Sequence, residues 1–434
     1  MNLFAEQLHF LSTQCAADVP LPLALLQRTL QLEEIEFSAA KEANITTGNM
    51  VQLPVGLILL PDHLDSTIDE EAGKKLRHLL IENAADEAQS AMHNHSRLDQ
   101  LAAIREIGPH LLKLATLAQE SSHPHAVDLW IVFGDYLFAV GKFTEALQSY
   151  RHAVEIDNKF HGQTDREKIN LTKKLGDTAL ALNAFDDAEL YYLSALILVK
   201  QTYGKENVKQ ASFYENLGKT AFKRGDIKKA ILMYQKTLEI EMACGKNVNL
   251  LASRYNNLGR VFQADDQFEL AIEHFEEAVR LWENEGASEH HVNQSLALKN
   301  LGTVYQKLGD LGQAQKYLES AIRKSESHYG PDHSDIGRDA NILALILQEQ
   351  EKLDDALVQF RRALRINIQV FGMNHSEVAL TLNNMAMLFL EMDDRQRALE
   401  TIHQAHDIVT QHIREDHPCR IQIEENLRGL EEIL

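Results

Sequence analysis

The chain has 434 residues, with 43 Lys and Arg against 64 Asp and Glu. Its formal net charge of -21 argues against a general affinity for DNA, RNA or an anionic membrane, all of which need a cationic face. Only 8 Pro and 21 Gly accompany 44% hydrophobic residues, so a turn-dense β fold is short of material while helix formers dominate.

The opening MNLFAEQLHF lacks the basic flank and apolar core of a secretion signal, and VGLILL near residue 55 is too short to span a bilayer. A cytoplasmic protein without membrane insertion is expected, and the NIT sequon at Asn44 is then a chance match. Over 1–120, LPLALLQRTLQLEEI and TIDEEAGKKLRHLLIENAADEA read as helices, the second opened by a capping box from Thr67 to Glu70. Between them NITTGNMVQLPVGLILLPD fits a short hairpin or a buried loop equally well. SRLDQLAAIREIGPHLLKLATLAQE reads as two short helices split at Gly108 and Pro109. The whole segment 1–120 is expected to be a mainly helical cap or a small independent domain.

From residue 121 the chain repeats itself. His291, His333, His375 and His417 are spaced by 42 residues, a period that marks a solenoid or array. Small residues recur in step at Gly134, Gly176, Gly218, Gly259, Gly302, Ala344 and Ala386, and again at Ala146, Ala188, Ala230, Ala271, Ala314, Ala356 and Ala398. A third series runs Ala153, Ala195, Thr237, Ala278, Ala321, Ala363 and Ala405. Within NLGKTAFKRGDIKKAILMYQKTLEI apolar and small residues fall at i, i+3, i+4 and i+7 on both sides of a GD break, the pattern of a helical hairpin. Small positions let two antiparallel helices approach, and Tyr234, Phe275, Tyr317 and Phe360 fill the space beside them. In YGPDHSD and FGMNHSE, Ser334 and Ser376 suit a helix N-cap or first turn, as does Pro418 further on. The tail RIQIEENLRGLEEIL restores the first-helix phrase and is read as a capping helix over 419–434.

NLG, then an aromatic residue, then GD, then two spaced alanines resembles the tetratricopeptide repeat. The longer period, YGPDHSD and LTLNNMA are similar to its kinesin light chain variety. The resemblance covers 121–418 and implies an all-α, right-handed α-solenoid of seven antiparallel helix hairpins. Repeats six and seven depart from the pattern, with Ala344 and Ala386 in place of Gly and DDRQRAL at the turn. The stretch IGPHLLKLATLAQE also resembles the segment joining a winged helix to tetratricopeptide repeats in large bacterial signalling ATPases. No GxxxxGK[ST] occurs in the chain, so such a relationship leaves it without the motor.

Nothing in the sequence points to catalysis. The 20 histidines, densest in HNH at 93, HPH at 123 and EHH at 289, lack HExxH or CxxC spacing, and there is no GxSxG or Gly-rich phosphate loop. Cys15, Cys244 and Cys419 are too few and too scattered for a disulfide framework, and a reducing compartment fits best. No enzyme activity, cofactor or metal is expected.

In the family resembled, the first helix of each hairpin lines a concave groove that holds peptides through Asn and basic side chains. Carried over by position, these are Asn216, Asn257, Asn300 and Asn384 just before the small-residue pair, with Ile342 breaking the series. One residue earlier come Lys173, Asn256, Lys299, Asn341 and Asn383, and after the small residue come Lys219 and Arg260. An Asn amide donates and accepts at once, matching an extended peptide, and the cations suit carboxylates. The same amides equally suit bonds between neighbouring hairpins. The expectation is a scaffold or adaptor taking an acidic or carboxylate-bearing peptide at repeats three to five, with Phe222, Phe262 and Tyr305 as apolar neighbours. The alternative is a sensor whose superhelix changes curvature on binding a small ligand or peptide.

Overall fold

The structure, a computed structural model, describes residues 50–53, 56–59, 78, 81–82, 85, 97–160, 163–204, 207–244, 247–285 and 291–433. The helix read over LPLALLQRTLQLEEI and the Thr67 to Glu70 capping box lie outside the described residues; of the second helix His78, Ile81, Glu82 and Ala85 are described, all helical. Strands β1 (Met50–Leu53) and β2 (Gly56–Leu59) pair antiparallel, Val51 opposite Ile58. The chain forms two compact units, Met1–Lys205 and Glu206–Leu434.

In the first unit α1 (Arg97–Glu120) leads to α2 (Ala126–Ala139), α3 (Phe143–Phe160), α4 (Asp165–Ala181) and α5 (Phe185–Tyr203). The expected split at Gly108 and Pro109 does not occur, and α1 runs through both. Pro removes one ladder bond from a helix interior, but α1 has tertiary support that a local rule does not see. Leu111, Leu114, Ala115 and Ala118 are fully buried in the core of this unit. Gly108 is a contact point instead of a break: a Cβ there would lie 2.3 Å from the Tyr136 ring.

The second unit stacks α6 (Lys209–Arg224) with α7 (Ile227–Cys244), α8 (Val248–Ala264) with α9 (Phe268–Glu285) and α10 (His291–Lys307) with α11 (Leu311–Tyr329). It continues with α12 (Ser334–Glu349) and α13 (Leu353–Phe371), then α14 (Ser376–Glu391) and α15 (Arg395–His412), and ends on α16 (Pro418–Ile433). First helices of successive hairpins touch directly, α8 with α10, α12 with α14 and α14 with α16, so they form the more crowded side of this stack. The architecture is a repeat solenoid of helix pairs.

Each hairpin is locked by a small residue facing a large one sixteen positions on. A Cβ on Gly134 or Gly176 would fall 2.5 or 2.6 Å from the rings of Tyr150 and Tyr192, and one on Gly259 would fall 2.8 Å from Phe275. In the sixth hairpin Ala344 and Phe360 are both fully buried. The turn is equally uniform. Gly141, Asn183, Gly225, Asp266, Gly309, Glu351 and Asp393 all take positive φ, and the next residue donates its N–H five residues back, as Lys142 does to Leu137 O at 2.8 Å and Asp394 to Phe389 O at 2.8 Å. This is the Schellman closure. The degenerate phrase DDRQRAL therefore keeps the backbone of the others, because Asp tolerates the left-handed region. Glu351 tolerates it least, at φ 62°. Replacing it by Gly removes a cost of ~1–2 kcal/mol against ~0.5–1 kcal/mol of extra chain entropy. Glu351→Gly is expected to raise the urea midpoint, a net ~0.5–1 kcal/mol, with an unchanged denaturant slope.

The recurring His of the linking phrases is a cap. His333 and His375 accept through Nδ1 from the Asp335 and Glu377 N–H groups, and their rings stack at 4.0 and 4.4 Å on Tyr329 and Phe371. Ser334, Ser376 and Pro418 occupy the first helical position, where Pro has no N–H to waste.

Candidate functional site

The first helices carry the expected Asn and basic residues, and most of them already have partners. On the second unit the Asn before the small-residue pair reaches back to the preceding hairpin. Asn257 Nδ2 donates to Glu215 Oε1 at 3.0 Å, Asn300 to Asn256 Oδ1 at 3.1 Å, Asn384 to Asn341 Oδ1 at 3.3 Å and Asn426 to Asn383 Oδ1 at 2.8 Å. These are rungs of one ladder. Asn256 and Asn383 are 5% and 1% exposed, so their amides serve stacking before any ligand. Asn216 is half-buried on α6.

Where Ile342 interrupts the series, an ion pair takes over. Lys299 stands at the acceptor position of the fifth hairpin, and its Nζ lies 3.2 Å from Asp339 Oδ1, one turn before Ile342 on α12. Asp339 is 1% exposed; burial pushes its carboxyl above the usual range and Lys299 opposes that shift. Between the third and fourth hairpins Arg254 Nη1 lies 2.5 Å from Glu215 Oε2 and its Nη2 3.6 Å from Glu241 Oε1. Arg254, Glu215, Asp339 and Asn426 were not among the expected site residues. Apart from Glu241, 13 residues before Arg254, their partners lie 39 to 43 residues away, and only stacking brings them together.

In the first unit Lys173 Nζ pairs with Asp177 Oδ2 at 2.6 Å and Lys174 Nζ with Asp135 Oδ1 at 2.5 Å. Tyr150 and Tyr192 donate their hydroxyls to the same two aspartates at 2.6 and 2.7 Å. Burial and these carboxylates push both phenols far above their usual range. Lys173 is neutralised within its own helix and Lys174 by the preceding hairpin.

Two cations of the series differ. Lys219 on α6 and Arg260 on α8 are exposed, occupy the same repeat position in consecutive hairpins, and have no ion pair among the described residues. Burial raises the Tyr234 phenol to about 12, with Glu215 adding to the shift and Arg260 and Arg254 opposing it. Phe222 is half-buried on α6, Phe262 is core at 5% exposure, and Tyr305 stacks on Tyr317 at 5.4 Å. A cavity of about 530 Å³ beside α9 is lined by Tyr255, Glu269, Glu273, Glu277 and Arg280 among others. Its acidic lining sets it apart from the cationic pair. Cys419 is buried, and its thiol is raised to about 11 by burial and Glu377, which keeps it protonated and poorly nucleophilic.

A family model described as Tetratricopeptide repeat matches residues 125–201, 167–241, 250–327 and 335–411, and a second model of the same description matches 299–369. The chain belongs to the tetratricopeptide repeat family. Proteins built from these repeats bind protein or peptide partners and are generally non-enzymatic scaffolds. No curated protein sequence matches the chain. Among solved structures it is similar to BtubC (BKLC) from P. vanneervenii, at 19% identity and TM-score 0.45 over 59% of this chain and 94% of that one. It is also similar to a putative kinesin light chain with nearly identical TPR-like repeats from Podosopora anserina, at 18% identity and TM-score 0.43 over 48% and 99%. A signal transduction ATPase with numerous domains from Pyrococcus horikoshii, which carries a tetratricopeptide repeat sensor, matches at 14% identity and TM-score 0.56 over 99% of this chain and 65% of that one. Among the described residues no helix is long and apolar enough to cross a membrane.

Proposed function

We propose that this tetratricopeptide repeat protein is a non-enzymatic adaptor whose first-helix face, at hairpins three to five, holds a partner segment bearing acidic side chains or a free carboxylate. The observation that carries the reading is Lys219 and Arg260: two exposed cations in repeat register, left unpaired among the described residues of a chain with net charge -21. Asn216, Asn257 and Asn300 flank them, and the lone pairs and N–H groups not used in the rungs are available to a peptide backbone. Asn256, Lys299, Asn341, Asn383 and Asn384 serve this face by fixing the stacking that shapes it, whereas Lys173 is engaged by Asp177 within its own helix.

Charge reversal tests the reading. A chain carrying Lys219→Glu and Arg260→Glu should lose its acidic partners, by about 100-fold or more if each charge-assisted contact contributes ~1.5–3 kcal/mol, while its thermal unfolding stays unchanged because both side chains are exposed. Affinity capture by wild type and variant, followed by titration of an acidic peptide from the captured protein, measures this. Equal binding by the two forms would overturn the assignment.

A second reading, a sensor that changes curvature when a ligand binds, is favoured by the fold likeness to the Pyrococcus horikoshii ATPase with its tetratricopeptide repeat sensor, which covers 99% of this chain. Small-angle scattering with and without the captured partner separates the two, since an adaptor keeps its radius of gyration.

A further inference from the structure

We propose that His78, Glu82 and His123 in the first unit form a site for a borderline divalent cation of the zinc class. One potential ligand atom from each residue lies within 4.8 Å of the others. His78 and Glu82 are one helical turn apart, with Nε2 and Oε1 separated by 3.3 Å, and the His78 ring centroid is 4.4 Å from that of His123. Two imidazoles and a carboxylate are donors that zinc accepts readily, with water completing the shell.

The second, independent observation is His123 itself. It is 7% exposed, and its Nε2 is buried with no hydrogen-bond partner. The His125 N–H donates to His123 Nδ1 at 3.2 Å, so the neutral ring keeps its proton on Nε2, a buried donor facing nothing that accepts it. Buried polar atoms of this kind are rare unless something else serves them. A cation at Nε2 displaces that proton. That proton moves to Nδ1, giving the other neutral tautomer, and the long contact to His125 opens; the ring itself loses no net proton.

The geometry has room to close. Zinc ligands about 2.0–2.2 Å from the metal stand roughly 3.4 Å apart in a tetrahedron. The His78 and Glu82 side chains are 54% and 44% exposed, free to draw in over the fixed His123 and open to an entering ion. Bound there, the ion would fasten the helical residues His78 and Glu82 to the loop between α1 and α2, where the first hairpin begins. HPH at 123 and HxxxE at 78 are uninformative separately, being 45 residues apart, which is why ligand spacing in the sequence did not reveal them.

Zinc titrated calorimetrically into the full chain is expected to show one specific one-to-one site. His78→Ala and Glu82→Gln change exposed residues and should leave the circular dichroism spectrum intact while weakening that site by roughly 100-fold or more, at least what is lost on removing an outer-shell partner. His123→Ala should abolish it, and His403→Ala, an exposed histidine in the other unit, should leave it unchanged. Cobalt substitution should give the visible bands of a tetrahedral site in wild type and His403→Ala but not in His123→Ala. The proposal fails if no one-to-one site is found, or if His78→Ala and Glu82→Gln bind zinc as tightly as wild type.

Discussion

Arg254→Met is expected to destabilise the second unit by about 3–5 kcal/mol, the range for removing one partner of a buried ion pair. Arg254 is 7% exposed, and it reaches from α8 to Glu215 on α6 and Glu241 on α7. Methionine fills the volume of the stem but leaves Glu241, 5% exposed, without a counter-charge. Glu215 keeps only the Asn257 rung. Urea unfolding monitored on the second unit measures the effect. Adding Glu241→Leu should recover most of it, because an apolar pair of similar volume avoids the desolvation cost altogether. A loss under about 1 kcal/mol would mean that water reaches Glu241 and that this junction is held by the apolar contacts alone.

Lys299→Met is expected to have a comparable effect, again about 3–5 kcal/mol near neutral pH, and to depend on pH in a way that Arg254→Met does not make visible. Burial already raises the Asp339 carboxyl, and Lys299 is the main group opposing that shift. Without Lys299 the folded chain favours the protonated acid. It then binds a proton that the unfolded chain has released, so stability falls as pH rises from the ordinary carboxylate range towards the raised value. The destabilisation should be smaller near pH 5 than near pH 7, measured by chemical unfolding at both. Stability losses equal at the two values would show that the variant keeps Asp339 ionised through solvent entry. Lys299→Met with Asp339→Leu should be flat with pH.

The hairpins were legible in the sequence because their packing is local. Gly176 with Tyr192, Gly259 with Phe275 and Ala344 with Phe360 stand sixteen residues apart each time, so the complementarity of small and large repeats along the chain. The Gly108 and Pro109 reading failed for the opposite reason: the residue that gives Gly108 its purpose, Tyr136, lies on another helix, and burial of α1 outweighed the proline. The repeat positions of the candidate residues were legible, and their partners were not. That Asn257 and Lys299 stand at neighbouring positions on successive first helices follows from the repeat, but that Glu215 and Asp339 would engage them depends on stacking between hairpins, for which one chain's periodicity holds no local signal. The cations left over, Lys219 and Arg260, become distinctive only once the others are seen to be paired.

The turn shared by all seven hairpins also bears on how the chain acquires its structure. Each closure joins residues five apart, from Lys142 to Leu137 through Asp394 to Phe389, and brings together two helices adjacent in sequence. Almost none of the ordering then waits on a distant segment, which is the condition for rapid folding and for nucleation at any point along a repeat array. During synthesis a hairpin can therefore form as soon as its second helix has left the ribosome, and each finished hairpin presents the next with a surface to fold against. The order of addition runs in one direction, and the amide rungs are made one at a time as Asn257, Asn300, Asn384 and Asn426 arrive to find their acceptors already in place.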